Sequence, residues 1–415
     1  MGYNESTRGW YQGELAGMKS AGLLKEERFI HSPQDAEIMV EYPTGNKPKK
    51  VVNLCANNYL GLSNHPDVVA AAHAGLDSRG YGCSSVRFIC GTQDIHRELE
   101  NKLTEFLGTE DTILFPSCMD ANGGVFEAVL NDQDIMIADR LVHASIVDGM
   151  RLCKAMQDTY KHSDMAHLEE KLQEHQDKRF RMIITDGVFS MDGDIAKMDE
   201  IVALGEKYNA MVFSDESHSS GYIGKRGRGV HEHCGVFGKM DIITTTLGKA
   251  LGGASGGCVS GRQEIVDMCR QKARPYLFSN TVAPVIVEGA LKVLEMLSKS
   301  TERRDKLEWN TAYWRKLLLE GGFDIKTGDS SIIPVMLYNA KLAQDMARDL
   351  FAEGIYVTGF FFPVVAKGQA RIRTQLSAAH EKEHLDHAIE AFVKVGKKYN
   401  IIGKKKNEIV EMYGL

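Results

Sequence analysis

The run DIITTTLGKALGGASGG, residues 241–257, decides the fold. It begins as a short β-rich segment, Ile242 to Thr246, and breaks into a stretch of glycine, alanine and serine that surrounds one lysine, Lys249. A surface lysine needs no such neighbours. A lysine that must bond covalently to a bulky group does, because small residues let backbone and ligand approach closely. Desolvation also lowers the proton affinity of the amine and makes it a Schiff-base former.

Working outward, similar apolar runs recur and each ends in a polar residue. DTILFPS (111–117) ends in Ser117, RMIITD (181–186) in Asp186, and AMVFSDESH (210–218) carries Asp215 and His218. Longer amphipathic segments separate them, as a mostly parallel sheet with crossover helices requires. In an open α/β sheet the ligand lies outside the carboxyl ends of the strands, so these polar residues are expected to converge. The expected fold class is therefore α/β, with helices flanking the central sheet. A smaller α+β domain follows, from SIIPVMLY (331–338), an amphipathic helix, GIYVTGFFFPVV (354–365), ARIRTQLS (370–377) and a closing helix. The organisation read from the chain is a helical arm over 1–50, with its helix from Trp10 to about Arg28, a large domain over 51–290 and a small domain over 291–415.

Composition narrows the function. At 415 residues the chain is long enough for two or three domains of about 100–200 residues each. Lys plus Arg number 50 against 56 Asp plus Glu, a net charge of −6, so neither a nucleic-acid nor a membrane partner is expected. No run of about 18 apolar residues occurs. The eight cysteines include no C-x-x-C pair, which suits a reducing compartment. The first residues lack a basic segment followed by an apolar run, so a cytoplasmic location is expected, or a mitochondrial matrix if a presequence was removed.

Other residues carry weaker signals. Ser117-Cys118-Met119 opens a helix, and backbone N–H groups at a helix start bind phosphate well. Asp215 could pair with a cationic ring nitrogen and His218 could hydrogen-bond a ring oxygen, although a strand-end Asp is as often a helix cap. His143, in VHASI, could stack on a planar ring or be a core histidine. Arg373 suits bidentate capture of a carboxylate, or a plain ion pair. HEKEH (380–384) matches the H-E-x-x-H zinc-peptidase pattern. It opens a charged helix with an apolar stripe of Leu385, Ile389, Phe392 and Val395, so no metal is expected there. GKRGRG (224–229) does not open a helix after a strand and reads as a basic turn.

In combination, CANNYLGL (55–62), SVRFICGTQDIHRELE (85–100), SCMDANGG (117–124), HASIVDG (143–149), TDGVFSMDGD (185–194), SDESH (214–218), TLGKALGGASGG (246–257), ARPYLFSN (273–280) and KGQARIRTQLSAAH (367–380) resemble the α-oxoamine synthases. These are pyridoxal-phosphate enzymes of the fold-type I aminotransferase class, and the likeness runs from about residue 10 to about residue 400. RFICGTQ, RPYLFSN and FFFPVVAKGQARIRTQ look most like the branch that condenses glycine with acetyl-CoA to 2-amino-3-oxobutanoate and CoA, a reaction run in reverse in threonine catabolism. A sister synthase acting on another acyl-CoA, such as 5-aminolevulinate synthase, is the alternative.

The resemblance implies roles for individual residues. Lys249 would hold pyridoxal 5'-phosphate covalently, Asp215 would pair with the pyridine nitrogen, His218 with the ring hydroxyl, and His143 would stack on the ring. Backbone at Cys118 and Met119, Thr246, and Ser279 from a second subunit would hold the phosphate. Asn57, Ser190 and Arg373 would bind the amino-acid carboxylate. A homodimer with the site shared across its interface is implied too. Val142 and Glu216 depart from the Asn and Asp usual there, and the tail GKKKNEIVEMYGL (403–415) has no recognisable counterpart.

Overall fold

The structure is a computed structural model and describes residues 2–20 and 23–414. Its centre is a seven-stranded sheet in the order Asp111–Phe115, Gly257–Gly261, Ile242–Thr246, Met211–Asp215, Arg181–Asp186, Ile135–Asp139, Met156–Tyr160. Gly257–Gly261 runs antiparallel to both its neighbours, and the other pairs are parallel. Asp186 stands opposite Asp215, and Asp215 opposite Thr244, so the polar strand ends lie side by side as the sequence predicts.

The strands read as continuous apolar runs because both faces are covered. Leu114, Ile135, Ile137, Ile183, Val212 and Ile243 join the core on one face. The alternate residues Ile113, Phe115, Met136, Met182, Phe213 and Val259 join a second core on the other. Helices Cys118–Val129, Ala144–Leu152 and Met198–Tyr208 are among the crossovers. The last third adds a three-stranded antiparallel sheet of Ile332–Tyr338, Ala370–Gln375 and Gly359–Phe360.

The first fifty residues differ from the helical arm expected there. The helix spans Glu5–Ser20 and buries no residue, residues 23–28 are not helical, and positions 21 and 22 lie outside the described residues. Three strands follow, Phe29–Ile30, Glu37–Glu41 and Lys49–Asn53. The last pairs in parallel with Ile355–Tyr356, far along the chain. The cause is local: in EIMVE, Ile38 and Val40 alternate with exposed-side residues and pack on Val51 and Phe351.

Candidate active site

Asp215, at the end of its strand, is buried and its carboxylate is held from two sides. Ser217 N donates to Oδ1 at 2.9 Å and Asn122 Nδ2 to Oδ2 at 2.7 Å. The same amide nitrogen donates to Ser145 Oγ at 2.9 Å, and Thr244 Oγ1 donates to Asn122 Oδ1 at 2.8 Å. Ser145 Oγ in turn lies 2.7 Å from His143 Nδ1, which also accepts from Ser145 N at 3.2 Å. With Ser145 Oγ accepting from Asn122, its proton goes to His143 Nδ1, and the neutral ring carries its own proton on Nε2. Burial, then the charge on Lys249, holds His143 below the ordinary histidine range. Asn122 thus fixes both Asp215 and His143. Sequence reading missed it, although it lies four residues after Cys118 and so on the same helix face.

Lys249 sits half-buried in the turn after Ile242–Thr246. Burial lowers the proton affinity of its amine, with Asp215 the strongest opposing charge. Asp186, beside Asp215, is pushed well above the carboxylate range, first by burial and then by Asp215. It accepts from His143 N at 3.2 Å. His218 is buried and neutral, its proton affinity lowered first by burial and then by Lys249. Its Nδ1 lies 2.8 Å from the hydroxyl of Tyr59, and among the described residues its Nε2 has no hydrogen-bond partner.

Beside this cluster the helix Cys118–Val129 begins, capped by Ser117, whose Oγ accepts from Asp120 N at 3.1 Å. A Cβ on Gly257 would lie 2.4 Å from Cys118 N, so only glycine there keeps that N–H uncovered. Thr246 Oγ1 donates to Gly256 O at 3.2 Å and accepts from Gly248 N at 3.0 Å, bracing the lysine turn. Ser279 caps the short helix Arg274–Phe278, beside the exposed Phe278, and among the described residues no hydrogen bond joins it to the other site residues of its own chain.

Asn57, Ser190 and Arg373 come together although they lie far apart in sequence. Arg373 Nη1 donates to Ser190 O at 2.7 Å and Nη2 to Gln375 Oε1 at 3.0 Å. Among the described residues its buried Nε has no partner, so the guanidinium retains a free donor. Gln375 Nε2 donates to Asn57 Oδ1. The loop bearing Ser190 is fixed by Arg371, which pairs with Asp192 and donates to Met191 O at 2.9 Å. Lys326 also pairs with Asp192, at 2.6 Å.

HEKEH lies elsewhere in function. His380 accepts from Ser377 N at 3.0 Å and donates from Nε2 to Asn53 O at 2.9 Å. Glu381 and His384 form the capping box of the helix Lys382–Lys398. Glu216 is a buried carboxylate that accepts from Ser214 Oγ at 2.7 Å and Val230 N at 2.8 Å.

The family model described as aminotransferase class I and II matches residues 49–392. The chain belongs to the class I and II aminotransferase family. Among curated members, it is 54% identical over 391 residues to the 2-amino-3-ketobutyrate coenzyme A ligase of Escherichia coli K12, covering 94% of this chain and 97% of that one. It is 50% identical over 390 residues to the mitochondrial 2-amino-3-ketobutyrate coenzyme A ligase of Homo sapiens, covering 94% and 92%. Among solved structures of this aminotransferase fold, it matches serine palmitoyltransferase from S. paucimobilis with bound PLP-myriocin at TM-score 0.88 and 29% identity, over 95% of this chain and 98% of that one. The fold is that of the fold-type I transferases expected from the sequence.

Proposed function

We propose that the protein is a pyridoxal-phosphate-dependent glycine C-acetyltransferase, joining glycine to acetyl-CoA to give 2-amino-3-oxobutanoate and CoA, and running in reverse in threonine catabolism. The observation that carries this reading is the 54% identity along nearly the whole chain to a 2-amino-3-ketobutyrate coenzyme A ligase. The donor set suits pyridoxal phosphate: a desolvated lysine, a strand-end carboxylate, an open histidine nitrogen and an uncovered helix start. When bound, pyridoxal phosphate holds the amino-acid nitrogen covalently and draws electrons from the α-carbon.

The chain's own residues do the rest. Lys249 would anchor the cofactor, and the lowered proton affinity of its amine suits it to take the α-proton of glycine. Asp215, fixed by Asn122 and Ser217, keeps a proton on the pyridine nitrogen. His218 Nε2 would donate to the ring hydroxyl, and His143 would lie against the ring. The N–H groups of Cys118 and Met119, with Thr246, hold the phosphate at the helix start, and the second subunit supplies Ser279. Arg373, Asn57 and Ser190 grip the glycine carboxylate. As the new carbon–carbon bond forms, the acetyl carbon–sulfur bond breaks, and CoA leaves as the thiol with the proton that Lys249 took from glycine.

The working unit is a homodimer, and the exposed Tyr81, Phe88, Ile89 and Phe278 supply apolar surface for its interface. The large domain passes into the small one along the helix Pro284–Lys299, and the strand Lys49–Asn53 goes with the small domain through its pairing with Ile355–Tyr356. Among the described residues no helix is long and apolar enough to cross a membrane. We place the protein in the cytoplasm, or in the mitochondrial matrix if a presequence was removed. Glycine-dependent release of free CoA thiol tests the function. Release from acetyl-CoA and little from succinyl-CoA is expected; preference for succinyl-CoA would move the protein to the aminolevulinate branch.

A further inference from the structure

One residue that sequence reading did not name joins the two ends of the site. Gln375 follows Arg373 by two on the strand Ala370–Gln375, so both occupy one face. Its Oε1 accepts from Arg373 Nη2 at 3.0 Å, and its Nε2 donates to Asn57 Oδ1 and, at 2.8 Å, to the hydroxyl of Tyr59. Tyr59 is fully buried, and its hydroxyl lies 2.8 Å from His218 Nδ1.

Counting protons leaves one arrangement. Arginine only donates, so the oxygen of the Gln375 amide faces Arg373 and its two N–H groups face Asn57 and Tyr59. Tyr59, accepting from Gln375, has one proton to give, and His218 Nδ1 is its remaining partner. The neutral His218 ring therefore carries its proton on Nε2. The donors run in one direction, from Arg373 through Gln375 and Tyr59 to His218. A side branch captures Asn57 Oδ1 and leaves Asn57 Nδ2 free to donate.

We propose that Gln375 and Tyr59 are positioning residues, forming a polarised hydrogen-bond relay that sets the His218 tautomer and the Asn57 amide orientation together. The relay rests on the function proposed above, in which His218 meets the cofactor's ring hydroxyl and Asn57 and Arg373 meet the glycine carboxylate. It makes the carboxylate end and the ring end a single unit. Gln375→Glu keeps the size and faces Arg373 with its charge, but it has no proton to give. Tyr59 then turns its proton toward residue 375, Asn57 turns its nitrogen inward, and both ends lose their set orientation. Tyr59→Phe removes the branch to His218 and leaves Gln375 bonded to Arg373 and Asn57.

The test uses the holoenzyme and two readouts: the pH midpoint of the cofactor's visible absorption band, and glycine Kd from spectral titration. Tyr59→Phe is expected to move the midpoint by about one pH unit, the size of one hydrogen bond, with glycine Kd within about twofold. Gln375→Glu is expected to move the midpoint and to weaken glycine about tenfold or more. An unmoved midpoint in Tyr59→Phe, or glycine affinity kept in Gln375→Glu, overturns the relay. The unsubstituted enzyme separates this from the function itself. If it releases CoA from acetyl-CoA while the variants show no shift, the relay alone is wrong. If it releases none, the proposed function fails and the relay with it.

Discussion

SDESH (214–218) and HEKEH (380–384) both look like catalytic motifs in the sequence, and they differ in what their histidine nitrogens are left free to do. His218 has Nδ1 engaged by Tyr59 and, among the described residues, Nε2 without a partner, within reach of the charge on Lys249. His380 is fully buried with both nitrogens bonded to backbone, and His384 closes a helix cap. A histidine whose two nitrogens are satisfied holds the chain together. One held in place with a nitrogen to spare can act on a ligand. The same distinction separates Arg371, paired with Asp192, from Arg373, whose Nε has no partner among the described residues.

Substitutions can break that comparison. The largest effect is expected at Lys249→Ala, which should abolish turnover and cofactor attachment while the protein stays folded. Residual turnover near the unsubstituted level would remove Lys249 from the chemistry. Next comes Arg373→Ala, which should raise glycine KM about 10- to 100-fold, as the loss of a charge-assisted hydrogen-bond pair implies. Arg371→Ala should instead act chiefly through the position of the Ser190 loop. Steady-state kinetics against glycine would show an unchanged KM for Arg373→Ala if the guanidinium does not meet the carboxylate.

A smaller effect is expected at Asn122→Ala, where Asp215 and Ser145 lose a shared donor. A fall of about tenfold in kcat is expected, with glycine KM little changed, because Asn122 touches the ring end and not the carboxylate end. The smallest effect on turnover belongs to His380→Ala. It should cost about 1–3 kcal/mol in urea unfolding and leave kcat per folded molecule unchanged. A catalytic or zinc-binding His380 would show the reverse.

pH sharpens the contrast between structural histidines. Burial holds His380 at about 4 against an ordinary 6.5. The unfolded chain therefore binds one more proton between those values, and stability is lost as pH falls from about 6.5 toward 4. His162 is the opposite case. Burial opposes its charge, but Asp139 and Asp194 on either side raise it to about 10. Its contribution is complete below 6.5 and is lost as pH rises toward 10. Urea midpoints across pH should flatten on the acid side in His380→Ala and on the alkaline side in His162→Asn.

The sheet was legible because its strands are short, apolar on both faces and end in polar residues. Lys249 stood out by its small neighbours, and SDESH by its place at a strand end. Asn122, Tyr59 and Gln375 were not legible as functional groups, because each works through another side chain. A hydrogen-bond partner across the fold leaves no mark in local composition. Spacing did hold a trace: Gln375 lies two residues after Arg373 on a strand, and Asn122 one helical turn after Cys118. The strands between residues 29 and 53 were hidden for a different reason. Each is too short to outweigh the charged residues around it, and the partner of the last lies some three hundred residues on.

The most direct test of the site is borohydride reduction of the purified yellow protein, followed by peptide mass mapping. A single pyridoxyl adduct, on Lys249, is expected. An adduct on any other lysine, or none, would contradict the assignment of Lys249.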